Sequence, residues 1–401
     1  MTLSEELSWR GFANQTTFAD ITDLDKAPRT FYLGVDPSAA SMHIGNLAAV
    51  MLVKHLVNHG HKAIVLVGGA TGMIGDPKED AERELKTLDE IAINKAGIAA
   101  QYRTLLEGED FELVDNYDWF KDIGYLDFLR TIGKHFSMTQ LLDREFVKAR
   151  IGESSAGISY AEFSYGLIQG YDFLHLYRTM GATLQIGGSD QWGNMLSGAQ
   201  MIRKLEGAEA HVWTVPLVLD KTTGKKFGKS EGNAVWLDAN MTSPYKFYQF
   251  WLNTDDAMAE DLVKIFTMLS KDTTEALIAD HQANPGERAL QKTLAREVTE
   301  LVHGRERRES VERVTEALFG GDIASLNDAD IEALAAEIPV VGPQSAITAL
   351  VQAGAASSNG EARRLIEGGA VSVNGQKITE DRPVEPRSLI KKGKNSFILV
   401  K

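Results

Sequence analysis

The chain has 401 residues, of which 43% are hydrophobic and 24% charged, with a net charge of −14 and no cysteine. At about 150 residues per domain this implies two or three globular units, and the composition argues against a disordered chain. Disulfide scaffolds, thiolate metal sites and cysteine nucleophiles are excluded. The sequence opens MTLSEELSWR, which is acidic and lacks an apolar signal core. Its clearest apolar run, Ala63 to Val67, is far short of the roughly 20 residues that span a bilayer. A cytoplasmic protein with no membrane partner is expected.

Strand and helix patterns alternate over the first half. Thr30 to Val35 reads as a strand, and Ser41 to His59 as a helix with Ser41 as N-cap and Gly60 as stop. Ala63 to Gly68 reads as a buried strand, Ala81 to Glu107 as mostly helical, and Phe111 to Val114 as a short strand. Then come a helix over Tyr160 to Tyr177, a strand over Thr183 to Ile186, a helix over Gln191 to Leu205 and a strand over Val212 to Leu219. This alternation predicts an α/β fold, a mostly parallel sheet with helices on both faces. Such sheets take ligands beyond the carboxyl ends of their strands.

Thr242 to Phe319 shows helical periodicity and no convincing strand. Residues 320–343 carry five acids and no base, with Gly and Pro near the ends, and read as a linker. The remainder, 344–401, mixes a helix around Glu361 to Glu367 with short strands such as Ala370 to Val373, and Asn374-Gly375 is a turn signal. It holds nine Lys and Arg against five Asp and Glu, a local charge of +4 that leaves −18 on the first 343 residues. A basic tail on an acidic body points to a polyanion contact; a solvated surface is the other reading.

Four segments carry candidate chemistry. Asp36-Pro37-Ser38 and His43-Ile44-Gly45-Asn46 lie between a strand and a helix, where unpaired N–H groups suit phosphates and Gly45 permits close approach. Gly68 to Asp76 is a glycine-rich loop after a strand that does not fit G-x-G-x-x-G. Lys226-Phe227-Gly228-Lys229-Ser230 ends like a P-loop, but Thr223 stands where that motif needs glycine. What remains is a lysine-rich loop able to close over a triphosphate, or a solvated turn. Tyr165, Gln169 and Asp172, spaced i, i+4, i+7, form one helix stripe that faces either a site or water.

Taken in order, the segments TFYLGVDPS, HIGN, VGGATGMIGDP, Asp115-Asn116-Tyr117-Asp118-Trp119, EFSYGLIQGYDF, QIGGSDQWGN, VPLVLD, KFGKS and RRLIEGGAVSVNG resemble the bacterial tyrosyl-tRNA synthetases over nearly the whole chain. The resemblance implies a Rossmann-like doubly wound catalytic domain over 1–224, with a dimer-forming insertion at about 116–159. It implies a KFGKS loop and helical anticodon-side domain over 225–319, the linker 320–343, and a small α+β RNA-binding domain over 344–401, like one in a ribosomal small-subunit protein. It implies tyrosine contacts from Tyr32, Asp76, Tyr165, Gln169, Asp172, Gln185 and Gln191, with Tyr32 and Asp172 facing the phenol and Asp76, Tyr165 and Gln169 the ammonium. ATP contacts would come from Gly34, Asp36, Ser38, His43, Gly45, Asn46, Asp190, Lys226 and Lys229. His43, Asn46, Lys226, Lys229 and Ser230 would carry catalysis, and Arg363, Arg364 and Lys377 would touch RNA. ATP is implied as a substrate, with Mg2+ on its phosphates and no dedicated protein metal site; the partners are L-tyrosine, the tRNA for tyrosine and a second copy of the chain.

Two departures stand out: Asn46 occupies a position where the family usually has His, and the loop after Asp76 is short, which leaves Lys78 and Arg83 without a firm counterpart. A tryptophan-specific synthetase, a small nucleotidyltransferase and a non-catalytic RNA-binding protein on the same scaffold are the competing readings.

Overall fold

The structure is a computed structural model that describes residues 1–77, 83–142, 145–151, 157–219, 221, 224, 227, 229–230, 233–320 and 323–401. The chain forms two compact units, Met1–Thr242 with Trp251–Leu294, and Ser243–Phe250 with Ala295–Lys401. The stretch 225–319, expected as one domain, is thus divided between them.

The first unit opens with α1 (Leu3–Arg10) and β1 (Thr30–Val35), followed by α2 (Ile44–Asn58), β2 (Lys62–Val67), the one-turn α3 (Gly69–Gly72), α4 (Leu88–Leu105) and β3 (Phe111–Val114). Four short helices follow: α5 (Tyr117–Phe120), α6 (Tyr125–Thr131), α7 (Met138–Leu142) and α8 (Glu145–Arg150). Then come α9 (Tyr160–Met180), β4 (Ala182–Gly188), α10 (Trp192–Glu206) and β5 (His211–Val215). The sheet order is β3-β2-β1-β4-β5, and every neighbouring pair is parallel. The order reverses between β1 and β4, so the loops leaving these two strands diverge and open a crevice at their carboxyl ends. β2 is buried along five of its six residues, as a strand covered on both faces must be.

The chain then forms the two-residue strands β6 (Lys229–Ser230) and β7 (Asn233–Ala234), and the helices α11 (Pro244–Leu252), α12 (Asp256–Phe266), α13 (Lys271–Ala283), α14 (Ala289–His303) and α15 (Arg305–Gly320). Among the described residues no helix is long and apolar enough to cross a membrane.

The segment 320–343 is not the linker its composition suggests. It contains α16 (Asp328–Ala335) and β8 (Val340–Val341), and Ile323, Leu326, Ile331 and Leu334 are buried. After it come β9 (Gln344–Ser345), α17 (Ala346–Gln352), α18 (Asn359–Glu367), β10 (Val371–Val373), β11 (Gln376–Lys377), β12 (Pro383–Val384), β13 (Ser388–Lys392) and β14 (Ser396–Val400). β8 joins the terminal sheet at its edge, parallel to β14. Asn374 and Gly375, both at positive φ, close the β10–β11 hairpin as the turn signal predicts.

Strand alternation explains how this sheet is covered twice. Ile390, Ile398 and Val400 pack with Ile347, Leu350 and Ile366 of α17 and α18. Leu389 and Leu399 point the other way, into a cluster with Val314 and Leu318 of α15 and Ile331 and Leu334 of α16. The acids that make 320–343 look solvated serve as ion-pair partners: Asp330 takes Arg313 at 2.8 Å, Asp328 takes Arg387 at 2.5 Å, and Glu332 takes Lys401. Leu334, with no exposed surface, is the centre of the second cluster. Leu334→Ala is expected to destabilise this unit by about 2–5 kcal/mol, measured as a lower urea midpoint of the full chain.

Candidate active site

A cavity of about 750 Å³ lies at the carboxyl ends of β1 and β4. Its walls include Tyr32, Gly34, Asp36, Ser38, His43, Gly45 and Asn46 from β1 and the approach to α2, and Asp76 from the glycine-rich loop. Tyr165, Gln169 and Asp172 enter from α9, and Gln185, Asp190 and Gln191 from β4 and the turn after it. The structure therefore brings fourteen of the expected tyrosine and ATP residues to one cavity. Lys226, with Lys78 and Lys225, lies outside the described residues, while Lys229 and Ser230 form β6, paired with β7. Arg363 and Arg364 on α18 and Lys377 on β11 are exposed in the other unit.

The α9 stripe faces the cavity, not water. Asp172 is 1% and Tyr165 5% exposed. Tyr32 and Gln185 are register partners on adjacent strands, so their side chains leave the same face of the sheet, under α9. Tyr32 also packs on Phe173, ring centres 5.2 Å apart.

Asp172 is the most constrained group. Its Oδ1 accepts from the Trp119 indole Nε1 at 2.9 Å and its Oδ2 from Asn116 Nδ2 at 3.1 Å. Asn116, fully buried, also donates to Thr71 Oγ1 at 3.1 Å and accepts from the Ala70 amide at 2.7 Å. Burial pushes the Asp172 carboxyl up to about 8, with the Asn116 and Trp119 donors opposing. Tyr165 donates to Asp36 at 2.8 Å, and burial raises Asp36 above the usual carboxylate range. Asp76 accepts from Gln191 at 2.9 Å and Asn194 at 3.2 Å, and burial pushes it up to about 6. Among the described residues, three buried polar atoms in this cavity have no partner: Tyr32 Oη, Gln169 Oε1 and Gln185 Oε1. Buried polar groups are nearly always satisfied, so these three call for a partner from outside the chain, water or a polar ligand.

The other end of the cavity is built by a helix start. His43, not Ser41, caps α2: its Nδ1 accepts from the Gly45 amide at 2.9 Å, and Asn46 Oδ1 accepts from the His43 amide at 3.1 Å. Ser41 is engaged elsewhere, donating to the Met42 carbonyl and accepting from Gln101 at 2.8 Å and the Asp238 amide at 3.1 Å. Because His43 Nδ1 is an acceptor, the neutral ring carries its proton on Nε2. α4 holds this segment from behind, Asn94 donating to the Pro37 carbonyl at 3.0 Å and Gln101 accepting from the Met42 amide at 2.8 Å. Gly97 between them passes so close to the Ala40 carbonyl that a side chain would collide with it. Arg83, another cavity residue, donates to the Asp76 carbonyl.

Sequence reasoning did not single out Thr71, Asn116, Trp119, Asn194 and Gln101. Asn116 and Trp119 lie in the segment Asp115 to Trp119 just past β3, at the carboxyl end of a sheet strand. That was the one local signal for their role.

The sheet order and the cavity at its reversal fit the class I aminoacyl-tRNA synthetases. The family of class I tRNA synthetases for W and Y matches residues 24–320, and the S4 domain matches residues 348–390. The tyrosine–tRNA ligase of Bacteroides thetaiotaomicron is 44% identical, covering 100% of this chain and 99% of that protein. That of Geobacillus stearothermophilus is also 44% identical, with 100% of both covered. The C-terminally truncated mitochondrial tyrosyl-tRNA synthetase of Aspergillus nidulans superposes with a TM-score of 0.71 at 29% identity, over 79% of this chain and 94% of that one. The chain belongs to the tyrosine–tRNA ligases, and it is an aminoacyl-tRNA synthetase.

A carboxyl whose pKa is raised on folding costs stability once both states would otherwise ionise. Asp172 rises from 3.8 to about 8, so its contribution is lost as the pH climbs through that window. The ligand-free protein is expected to lose on the order of a few kcal/mol from this group between about pH 4 and pH 8. In Asp172→Asn the pH slope of the melting temperature flattens over that range.

Proposed function

We propose that the cavity holds L-tyrosine with its phenol between Tyr32 and Asp172 and its ammonium near Asp76, Tyr165 and Gln169, beside an ATP whose phosphates lie at the start of α2. The chain would join the two to tyrosyl-adenylate and pyrophosphate, then pass the tyrosyl group to the 3′-terminal adenosine of the tRNA for tyrosine. The observation that carries this is the set of buried, partnerless atoms on Tyr32, Gln169 and Gln185. They lie in one cavity with the buried carboxyl of Asp172 and the half-buried carboxyls of Asp36 and Asp76, the environment a phenol and an ammonium would satisfy.

The residues suit the chemistry. An amino-acid carboxylate is already a nucleophile at neutral pH, so attack on the α-phosphate needs no general base. In-line positioning and donors that stabilise the charge developing on phosphorus suffice. His43 Nε2 and the Asn46 amide nitrogen supply neutral donors, and Arg83 supplies a cation that the electrostatics of Asp36 and Asp76 both register. Lys226, Lys229 and Ser230 would complete the pyrophosphate contacts. Mg2+ would enter on the nucleotide: Ser38, His43 and Asn46 fit phosphate oxygens, and the phosphates would supply the cation's hard ligands.

Selectivity follows from the unpaired groups. A ligand without the phenolic hydroxyl leaves Tyr32 Oη unsatisfied in a dry site. Amino-acid-dependent ATP–pyrophosphate exchange is expected with tyrosine and not with phenylalanine or tryptophan; exchange driven by tryptophan overturns the assignment. Asn46→Ala should slow exchange by up to about 3 kcal/mol of barrier, with binding of tyrosine unchanged. A rate equal to the parent's removes Asn46 from the mechanism.

Two partners complete the reading. Tyr125 and Leu126 on α6, Met138 on α7 and Ile151 just past α8 are exposed by 51–77%, apolar side chains that a second copy of the chain would cover. Leu126→Asp should then convert a dimer into monomers in sedimentation equilibrium. Arg363, Arg364 and Lys377 would contact the tRNA backbone, which a reduced salt slope of tRNA affinity in their alanine variants tests. The location would be cytoplasmic.

A further inference from the structure

The first turn of α9 holds a buried ion pair that the tyrosine and ATP contacts do not use. Arg150, at the end of α8, presents Nη1 and Nη2 to Glu162 Oε1 and Oε2 at 3.0 and 2.9 Å. The two side chains are 2% and 3% exposed. Arg150 Nε also donates to the Gly157 carbonyl at 2.8 Å. The Glu162 amide, in turn, donates to Ser159, the N-cap of α9, at 3.3 Å.

Glu162 stands on the stripe that faces the cavity. Residues 162, 165, 169 and 172 follow the spacing of one helix face, so Glu162 extends the line of Tyr165, Gln169 and Asp172 by one turn toward the N-terminus. A bidentate guanidinium–carboxylate pair fixes direction as well as distance. Buried pairs of this kind add little stability over apolar residues of the same volume, so their presence is better explained by the geometry they impose. Here that geometry is the rotation of α9 about its own axis. A rotation of α9 there would shift the Tyr165 hydroxyl relative to Asp36, and Gln169 with it.

We propose that Arg150 and Glu162 are positioning residues for tyrosine binding, clamping the segment that ends in α8 to the first turn of α9 and so setting the angle of the substrate stripe. The proposal rests on the reading of that stripe as the tyrosine site.

The test is ATP–pyrophosphate exchange by the full chain, with tyrosine and ATP varied separately. The variants are Glu162→Gln, Arg150→Lys and the doubly apolar Arg150→Met with Glu162→Leu, and Gln169→Ala is the reference for the stripe. Each pair variant should raise KM for tyrosine about tenfold. KM for ATP should stay within about twofold of the parent. The doubly apolar variant should melt cooperatively near the parent temperature and still bind tyrosine weakly; it keeps the question answerable if Glu162→Gln does not fold. Parental KM for tyrosine in the doubly apolar variant shows that packing alone suffices and overturns the proposal, as does an equal rise in both KM values. An unchanged tyrosine KM in Gln169→Ala overturns the reading of the site instead.

Discussion

A carboxyl kept almost completely out of water, with no cation paired to it among the described residues, is the constraint on which the rest of the catalytic unit depends. Asp172 survives at 1% exposure because two neutral donors, Asn116 and Trp119, occupy its two oxygens. Those donors must themselves be held. Asn116 is fixed by Thr71 and the Ala70 amide at the start of α3, and Asp115 accepts from the Gly69 amide at 2.8 Å while pairing with Lys95. The loop after β2 and the loop after β3 are thus locked to each other around a group contributed by α9. Neutral donors lower the desolvation cost of the carboxyl without cancelling its appetite for a further proton or donor.

This arrangement explains why recognition and rigidity are the same problem here. An unpaired hydroxyl on Tyr32 and unpaired amide oxygens on Gln169 and Gln185 are tolerable only if the surrounding shell cannot collapse onto them. The shell is the parallel sheet below and α9 above, with Phe173 wedged against Tyr32. Strand register places Tyr32 beside Gln185, and helix periodicity places Tyr165, Gln169 and Asp172 in line. Polar groups left over in such a frame are specific because they cannot find one another.

Local pattern made much of this legible and long-range pairing made the rest opaque. The five strands follow from apolar runs, and the α9 stripe follows from spacing. Nothing in the spacing says whether the stripe meets water, since that is settled by β1 and β4 from elsewhere in the chain. Trp119 and Asn116 reach Asp172 across 53 and 56 residues, a separation no local rule bridges. The helix cap was misplaced because Ser41 has the better capping propensity, yet its hydroxyl is taken by Gln101 and the Asp238 amide. The segment 320–343 reads as a linker because charge dominates its composition. Its buried positions Ile323, Leu326, Ile331 and Leu334 recur at three to five residues, and its acids find partners in the basic tail and in Arg313.

The reciprocal cap at the start of α2 gives a physical account of Asn46. A helix beginning with His43 needs an acceptor for the His43 amide, and a side chain at the third helical position is placed to reach back. Asn offers a carbonyl for that purpose and keeps its amide nitrogen as a donor. Gly45 is required between them, since a side chain there would meet the His43 ring at 2.7 Å. With Nδ1 committed to the Gly45 amide, the imidazole has one tautomer in its neutral form, with its proton on Nε2. Local backbone bonding therefore sets the α2 end of the cavity, as long-range side-chain bonding sets the Asp172 end.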